Sequence, residues 1–569
     1  MRVLQSSLPW LAPLGFLALF YFYPLFSILQ TSFARGEAGL AGLVAPFVEA
    51  LGSASTRQVL WFTFWQATLS TVLTLLFGLP GAYLLARYEF RGKSALLALT
   101  GISFVLPTLV VAAAFNAILG PRGWVNLILM SALGLEQPPI QFVNTLVAIL
   151  TAHVFYNTTI VLRIVGDYWS HLDPRMRQAA QTLGASPWKT LQQVTLPLLM
   201  PAITAAALLI FIFDFTSFGV ILVLGGPRFA TLEVEIYNQT VGLFNLPLAA
   251  ALAVIQLICT LSLTIAYSRL SARLSSPTTL RPRRFSQRRL TTWRSRIFAA
   301  LYLTALLALL GLPLAALVSR SFLQVEILRG EAAGWTTNFT LDYYRELAVN
   351  RHEALFYVPP TTAIGVSLGY ALATTLLALG LGLPAAWALA WHARSPQSRL
   401  FDPLLMLPLG TSAVTLGLGF IVALDQPPLD LRASILLVPI AHTLVAFPFV
   451  VRSLTPSLRS IRPRLRQAAA VMGASPLRAA RYIDLPIIGR ALLVAATFAF
   501  TISLGEFGAT ALIARPEYPT MPVMIYRFLS QPGALNYGQA LALSTLLALA
   551  TGLSMLAIER FRIADVGEF

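Results

Sequence analysis

Cysteine is almost absent from this 569-residue chain, which has one, Cys259. A single thiol excludes an intrachain disulfide and a cysteine-based metal site, and it leaves the redox compartment undetermined. Charge is scarce as well. Asp, Glu, Lys and Arg make up 11% of the residues, where a soluble globular protein carries about a quarter. Acids are the rarer sign, 23 against 40 Lys plus Arg, for a formal net charge of +17. Zinc-ligand spacing, a hydrolytic triad and a paired-acid hydrolytic site are missing too. The phosphate-loop-like tripeptide Gly92-Lys93-Ser94 lacks the glycine required five residues before Gly92, where Arg87 stands. No catalytic residue, metal site or cofactor site is therefore expected on this chain.

What fills the chain is apolar sequence, 57% of all residues, with a mean hydropathy of +0.73. The apolar residues fall in runs of about 20 or more, enough to cross hydrocarbon as helix. Twelve spans are expected, near 9–30, 60–86, 95–119, 142–165, 197–224, 247–268, 297–319, 361–390, 401–424, 432–451, 487–513 and 538–558. The first follows a single Arg2 without a small-residue cleavage site, so it reads as a retained helix rather than a removed signal.

Every second loop is basic. Arg87, Arg91 and Lys93 follow span two; Arg175, Arg177 and Lys189 follow span four; an acid-free, Arg-rich stretch from Arg269 to Arg296 follows span six. His392, Arg394 and Arg399 follow span eight, and Arg452, Arg459, Arg462, Arg464 and Arg466 follow span ten. This is the positive-inside pattern, and it predicts both termini in the cytoplasm. The excess charge is thereby assigned to topology rather than to nucleic acid, with some contact to anionic lipid from the linker.

A segment recurs. Gln178–Pro201 reads QAAQTLGASPWKTLQQVTLPLLMP and Gln467–Pro486 reads QAAAVMGASPLRAARYIDLP. The offset is constant, 467 − 178 = 473 − 184 = 486 − 197 = 289. It also relates His153 to His442, Arg163 to Arg452, Pro174 to Pro463, Phe218-Gly219 to Phe507-Gly508, Thr231 to Thr520 and Tyr237 to Tyr526. Such a register predicts an internal duplication. Because each half has an even number of spans, the halves share one orientation. The expected architecture is an all-α integral membrane protein of about twelve helices in two homologous six-helix halves. The halves are 1–268, with a loop at 170–197, and 297–569, with a loop at 459–486; residues 269–296 form a basic cytoplasmic linker. In each repeat the glycine permits a left-handed turn and the proline suits a first helical position, so a helix–turn–helix is expected.

A cytoplasmic helix–turn–helix of the form E-A-A-x-x-x-G before a membrane span resembles the coupling loop of type I ATP-binding-cassette importer permeases. Its doubling resembles the fused permeases of that class. FWQA (Phe64–Ala67), AHVFYN (Ala152–Asn157), LGGPRFATLEVEIY (Leu224–Tyr237) and SLGEFGAT (Ser503–Thr510) resemble the ferric-iron and thiamine permeases. The resemblance covers nearly the whole chain. It departs from the family at the first loop position, where the usual Glu is Gln178 and Gln467; the amide keeps its hydrogen-bonding capacity. The resemblance implies that Gln178, Ala179, Ala180, Gly184 and Gln467, Ala468, Ala469, Gly473 dock into two copies of a separate ATPase, which carries the ATP and Mg. It also implies a periplasmic or surface-anchored binding protein, and a bacterial plasma membrane location.

Ionisable residues inside spans are costly and mark functional candidates. Asp214 and Glu506 are such residues; under the 289 offset Asp214 matches Ser503 and Ser217 matches Glu506. These four are the candidate translocation path for a cation, with structural pairing as the alternative. His153 and His442 read as helix–helix hydrogen bonders, Tyr237 and Tyr526 as membrane-interface anchors, and the two Phe-Gly pairs as packing or bending points near a gate. The function expected is ATP-driven import of a small, cationic solute, ferric iron or thiamine. An ion-coupled secondary transporter with duplicated halves is the rival class, and a non-transporting scaffold a third.

Overall fold

The computed structural model describes residues 2–33, 47–48, 50–274, 288–328, 334–349, 358–391, 395–425 and 429–561. Among them are eleven helices long and apolar enough to cross a membrane, and a twelfth when one bent pair counts as a single span. The first six positions are Pro9–Phe33, Ala54–Arg87, Thr108–Leu133, Leu146–His171, Pro187–Phe215 and Leu246–Leu270. The rest are Trp293–Phe322, Pro360–Trp391, the bent pair Pro396–Gly410 with Ala413–Ala423, then Leu437–Arg459, Leu477–Gly505 and Ala534–Ile558. Helices are the natural solution for these runs, because each backbone N–H and C=O is satisfied inside its own segment.

Four expected spans are interrupted, and the sequence explains where. The helix Lys93–Val105 stops at Leu106, whose backbone is extended (φ −59°, ψ 137°) ahead of Pro107, and a new helix Thr108–Leu119 follows. Span nine breaks after Gly410, bends by 96°, and restarts with Ser412 as its N-cap, the hydroxyl accepting from Val414 N and Thr415 N. Spans five and eleven were expected to run to 224 and 513. They end instead at Phe215 and Gly505 and resume at Gly219 and Gly508. Non-helical backbone at membrane depth is tolerated only inside protein or around a cavity. The breaks at 106–107, 216–218 and 411–412 meet around one.

Contacts recur at corresponding positions. A Cβ on Gly78 would lie 2.7 Å from Val161 Cβ, and one on Gly382 would lie 2.6 Å from Val450 Cγ1. Leu232 N donates to Thr63 Oγ1 at 3.0 Å, and Met521 N donates to Ser367 Oγ at 2.8 Å. These pairs place the early spans at an offset of 382 − 78 = 304 and the later ones at 289.

The opening span of each sequence half packs on the other half. Trp10, Leu17 and Tyr21 are buried in one core cluster with Phe420, Leu444 and Phe447. Tyr21 Oη and Thr411 Oγ1 are 2.6 Å apart, and Trp10 and Phe401 rings meet at 5.0 Å. In return, Tyr302 of span seven enters the other core and packs on Phe77 at 5.6 Å. Chain order and packing therefore divide the molecule differently.

Between spans seven and eight, Leu323–Leu328 and Gly334–Phe339 pair antiparallel as a hairpin, followed by the short helix Asp342–Arg345. Glu331 and Glu353, between the same two spans, lie outside the described residues. Residues 275–287 of the basic linker lie outside them too; Arg288–Arg289, just after them, pairs in parallel with Tyr88–Glu89 at the base of span two.

Candidate functional site

Two features stand out, a pair of exposed hairpins and an internal cavity. The first hairpin is helix Pro174–Thr182, a turn at Gly184 and helix Pro187–Thr190; the second is Pro463–Val471, Gly473 and Pro476–Ala479. Both glycines are left-handed, at φ +87° and +79°, a region that costs other residues about 1–2 kcal/mol. The turns close with the same bonds. Leu183 N, Gly184 N and Ala185 N donate to the carbonyls of Ala179, Gln181 and Ala180; Met472, Gly473 and Ala474 donate to those of Ala468, Ala470 and Ala469.

Neither long hairpin helix buries a residue among those described. Gln178, Ala179, Gly184, Gln467, Ala468 and Gly473 are exposed, and Ala180 and Ala469 are half-buried. At the tips, Leu183 is 88% exposed and its counterpart Met472 86%. Trp188 and its counterpart Leu477 are exposed as well. Large apolar side chains thus stand at the same exposed positions in both hairpins.

The cavity, about 350 Å³, lies between the halves where the broken spans meet. Asp214, His153, Asn157, Ser217 and Glu233 face it from the first half, and Ser412 from the second. Phe104, Tyr156, Phe213, Phe218 and Phe507 supply aromatic wall. Asp214 is buried. Its Oδ1 accepts from Asn157 Nδ2 at 2.6 Å and lies 3.4 Å from His153 Nδ1, while its Oδ2 makes no hydrogen bond. The Asp214 carbonyl, near the end of its helix, accepts from Gln66 Nε2 at 2.8 Å. Glu233, also buried, accepts from Gln256 Nε2 and, across the half boundary, from Ser412 Oγ. Phe218 and Phe507 stack at 5.4 Å.

Residues 75–276 match the family model of the binding-protein-dependent transport system inner membrane component. The thiamine transport system permease protein ThiP of Brucella abortus (strain 2308) is 30% identical over 538 residues, covering 91% of this chain and 92% of its own length. This chain belongs to that permease family. ThiP of Escherichia coli (strain K12) is 29% identical over 496 residues, covering 84% and 85%. The probable ABC transporter permease protein y4fN of Sinorhizobium fredii is 25% identical over 512 residues, covering 89% and 87%. The molecule is a multi-pass inner-membrane permease subunit of an ATP-binding-cassette importer.

Within this permease the four path residues read from sequence separate into two groups. Asp214 and Ser217 line the cavity; Ser503 and Glu506 do not. Glu506 caps the restarted helix Gly508–Ile513, accepting from Ala509 N at 2.8 Å and Thr510 N at 3.1 Å, and its Oε2 lies 3.1 Å from His442 Nε2. Ser503 Oγ is 2.7 Å from His442 Nδ1. In the first half His153 Nε2 is 2.9 Å from Ser217 Oγ and its Nδ1 is 3.4 Å from Asp214. Each half thus holds an acid–histidine–serine set, with acid and serine exchanged between the two sequence positions. The exchange decides which acid meets the cavity.

Tyr237 and Tyr526 pack against rings of the protein. Each is half-buried on the phenylalanine of its own half, Tyr237 on Phe218 at 5.3 Å and Tyr526 on Phe507 at 5.5 Å. Glu233 escaped the sequence reading because it lies outside the apolar runs. The available signal was an acid in LEVEIY, between a glycine turn and a long span.

Proposed function

We propose that this permease imports an organic cation of the thiamine class through the cavity between its halves. The observation that carries the reading is a pair of buried carboxylates, Asp214 and Glu233, in a cavity walled by Phe and Tyr rings. A carboxylate matches a fixed positive charge, and aromatic faces attract a cation by about 0.5–2 kcal/mol each. Thiamine joins a thiazolium cation to a second flat ring, so both features suit it. The ThiP relatives support the same choice through the solute they are named for. Ferric iron, a small hard cation, has no use for aromatic walls.

In this reading residues 1–268 and 297–569 are the two permease halves, joined by the linker 269–296, with both termini in the cytoplasm. Two copies of an ATPase subunit, holding ATP and Mg, grip the hairpins at Gln178–Gly184 and Gln467–Gly473. A binding protein delivers the solute at the opposite face. ATP drives the cycle only by favouring the closed ATPase dimer over the open one, and the hairpins pass that difference to the spans. The exposed tips Leu183, Trp188, Met472 and Leu477 support this docking.

The test is reconstitution of the permease with its ATPase and binding protein in proteoliposomes. ATP-dependent, vanadate-sensitive uptake of labelled thiamine is expected. Asp214→Asn should lower it about tenfold, the equivalent of about 1.4 kcal/mol. Uptake by this chain alone, driven by a proton or sodium gradient, would instead establish the secondary-transporter class. Uptake of ferric iron but not thiamine would overturn the solute assignment.

A further inference from the structure

At the hairpin end of the bundle the two halves solve one problem differently. In the second half Arg466, one residue before the hairpin's Gln467, donates from Nε to Asp484 Oδ1 at 2.7 Å, and its guanidinium lies 3.8 Å from the Trp391 ring centroid. Asp484 is 4% exposed, so this is a sealed ion pair bracing the hairpin against the following span. In the first half the counterparts are Arg177 for Arg466, Thr195 for Asp484 and Arg87 for Trp391, by the offsets of 289, 289 and 304. The carboxylate is gone and a second guanidinium has arrived. Arg177 Nε, the atom whose equivalent holds Asp484, is buried without a hydrogen bond.

These residues surround a cavity of about 50 Å³, lined by Arg87, Trp169, Asp173, Arg177, Thr195 and Leu198 among others. A water needs about 10–15 Å³ by this measure, so several waters or one tetrahedral oxyanion fit. Asp173 is committed elsewhere. Its Oδ1 accepts from Arg175 N at 2.9 Å as the hairpin's N-cap, and the residue has a further interaction. Glu89, the nearest acid on the base of span two, pairs with Lys93 at 3.3 Å. The basic linker end Arg288–Arg289 runs beside it.

We infer that the first half carries an anion site for a phosphate group, formed by the Arg87 and Arg177 guanidinium groups beside Thr195, whose hydroxyl donates to the Thr190 carbonyl at 3.4 Å. The bound phosphate supplies from outside the acceptor that Asp484 supplies internally in the second half. Guanidinium groups suit it because they offer paired donors to phosphate oxygens. The site touches the hairpin helix Pro174–Thr182, the base of span two and the first turns of span five, so occupancy braces one of the two hairpins. Phospholipid headgroups and free inorganic phosphate share this chemistry.

The test uses the full chain in nanodiscs of phosphatidylcholine, followed by thermal unfolding. One arm replaces part of the lipid with phosphatidylglycerol; the other adds inorganic phosphate against chloride at equal ionic strength. A saturable rise in Tm of a few degrees, about 2–4 °C, is expected in one arm, which names the source. Arg177→Gln should weaken the response at least tenfold. Thr195→Asp should raise the starting Tm and remove the response, because the new carboxylate occupies the site. The reciprocal double change, Trp391→Arg with Asp484→Thr, should create a second phosphate-responsive site. No response in either arm, or a full response retained in Thr195→Asp, would overturn the assignment.

Discussion

Phe218 and Phe507, related by the 289 offset, stack on one another with ring centroids 5.4 Å apart and an interplanar angle of 22°. Each follows the end of a broken span, and each is backed by the tyrosine of its own half. The pair therefore lines the cavity where the halves meet. An offset-stacked pair contributes about 0.5–1.5 kcal/mol beyond its buried area. A double-mutant cycle of Phe218→Ala and Phe507→Ala, read by thermal unfolding, should show a coupling of that size. Additive losses would mean that the rings pack independently.

The acid–histidine–serine sets predict opposite phenotypes for the two acids. Glu506→Gln leaves His442 beside an amide and weakens the cap on Ala509 N and Thr510 N. Breaking a buried pair costs about 3–5 kcal/mol, so this variant should unfold at lower temperature. The KM of the surviving protein should stay near the parent value. Asp214→Asn should retain the fold and raise KM. Kinetics and unfolding measured on both variants separate the roles.

The hairpin tips predict an interface without a stability cost. Leu183→Ser with Met472→Ser removes two nearly fully exposed apolar side chains. Surface changes of this kind stay within about 0.5 kcal/mol in folding. The double variant should therefore unfold like the parent yet fail to co-purify with the ATPase. Each single variant should retain partial association, since the other hairpin still docks.

Span seven's crossing predicts a compensating pair. A Cβ at Gly81 would collide with the Tyr302 hydroxyl, which is buried without a hydrogen bond, and would lie 2.5 Å from Leu162 Cδ2. Gly81→Ala should cost about 1–3 kcal/mol by overpacking. Tyr302→Phe should be near neutral alone, because it removes an unsatisfied polar group, and should relieve part of the Gly81→Ala loss. Chemical denaturation of the four proteins in mild detergent measures the cycle.

The path residues show where sequence reading stops. Matching by offset sets Asp214 beside Ser503 and Ser217 beside Glu506, which reads all four as one path. The structure turns Glu506 into a helix cap because span eleven ends one residue earlier, at Gly505, and the amides of Ala509 and Thr510 need acceptors. Glu233 was passed over for the opposite reason: its place on the cavity depends on Gln256 and Ser412, 23 and 179 residues away.

The sequence by itself determined the hydrophobic spans, the doubled hairpins with their left-handed glycines and the basic loops between spans, because hydropathy, backbone sterics and charge act locally. Tertiary structure alone decided which half each opening span joins, where the broken helices converge, and which carboxylate faces the cavity. Those outcomes follow from packing between segments hundreds of residues apart, where the choice of partner for a buried polar group is settled by three-dimensional proximity.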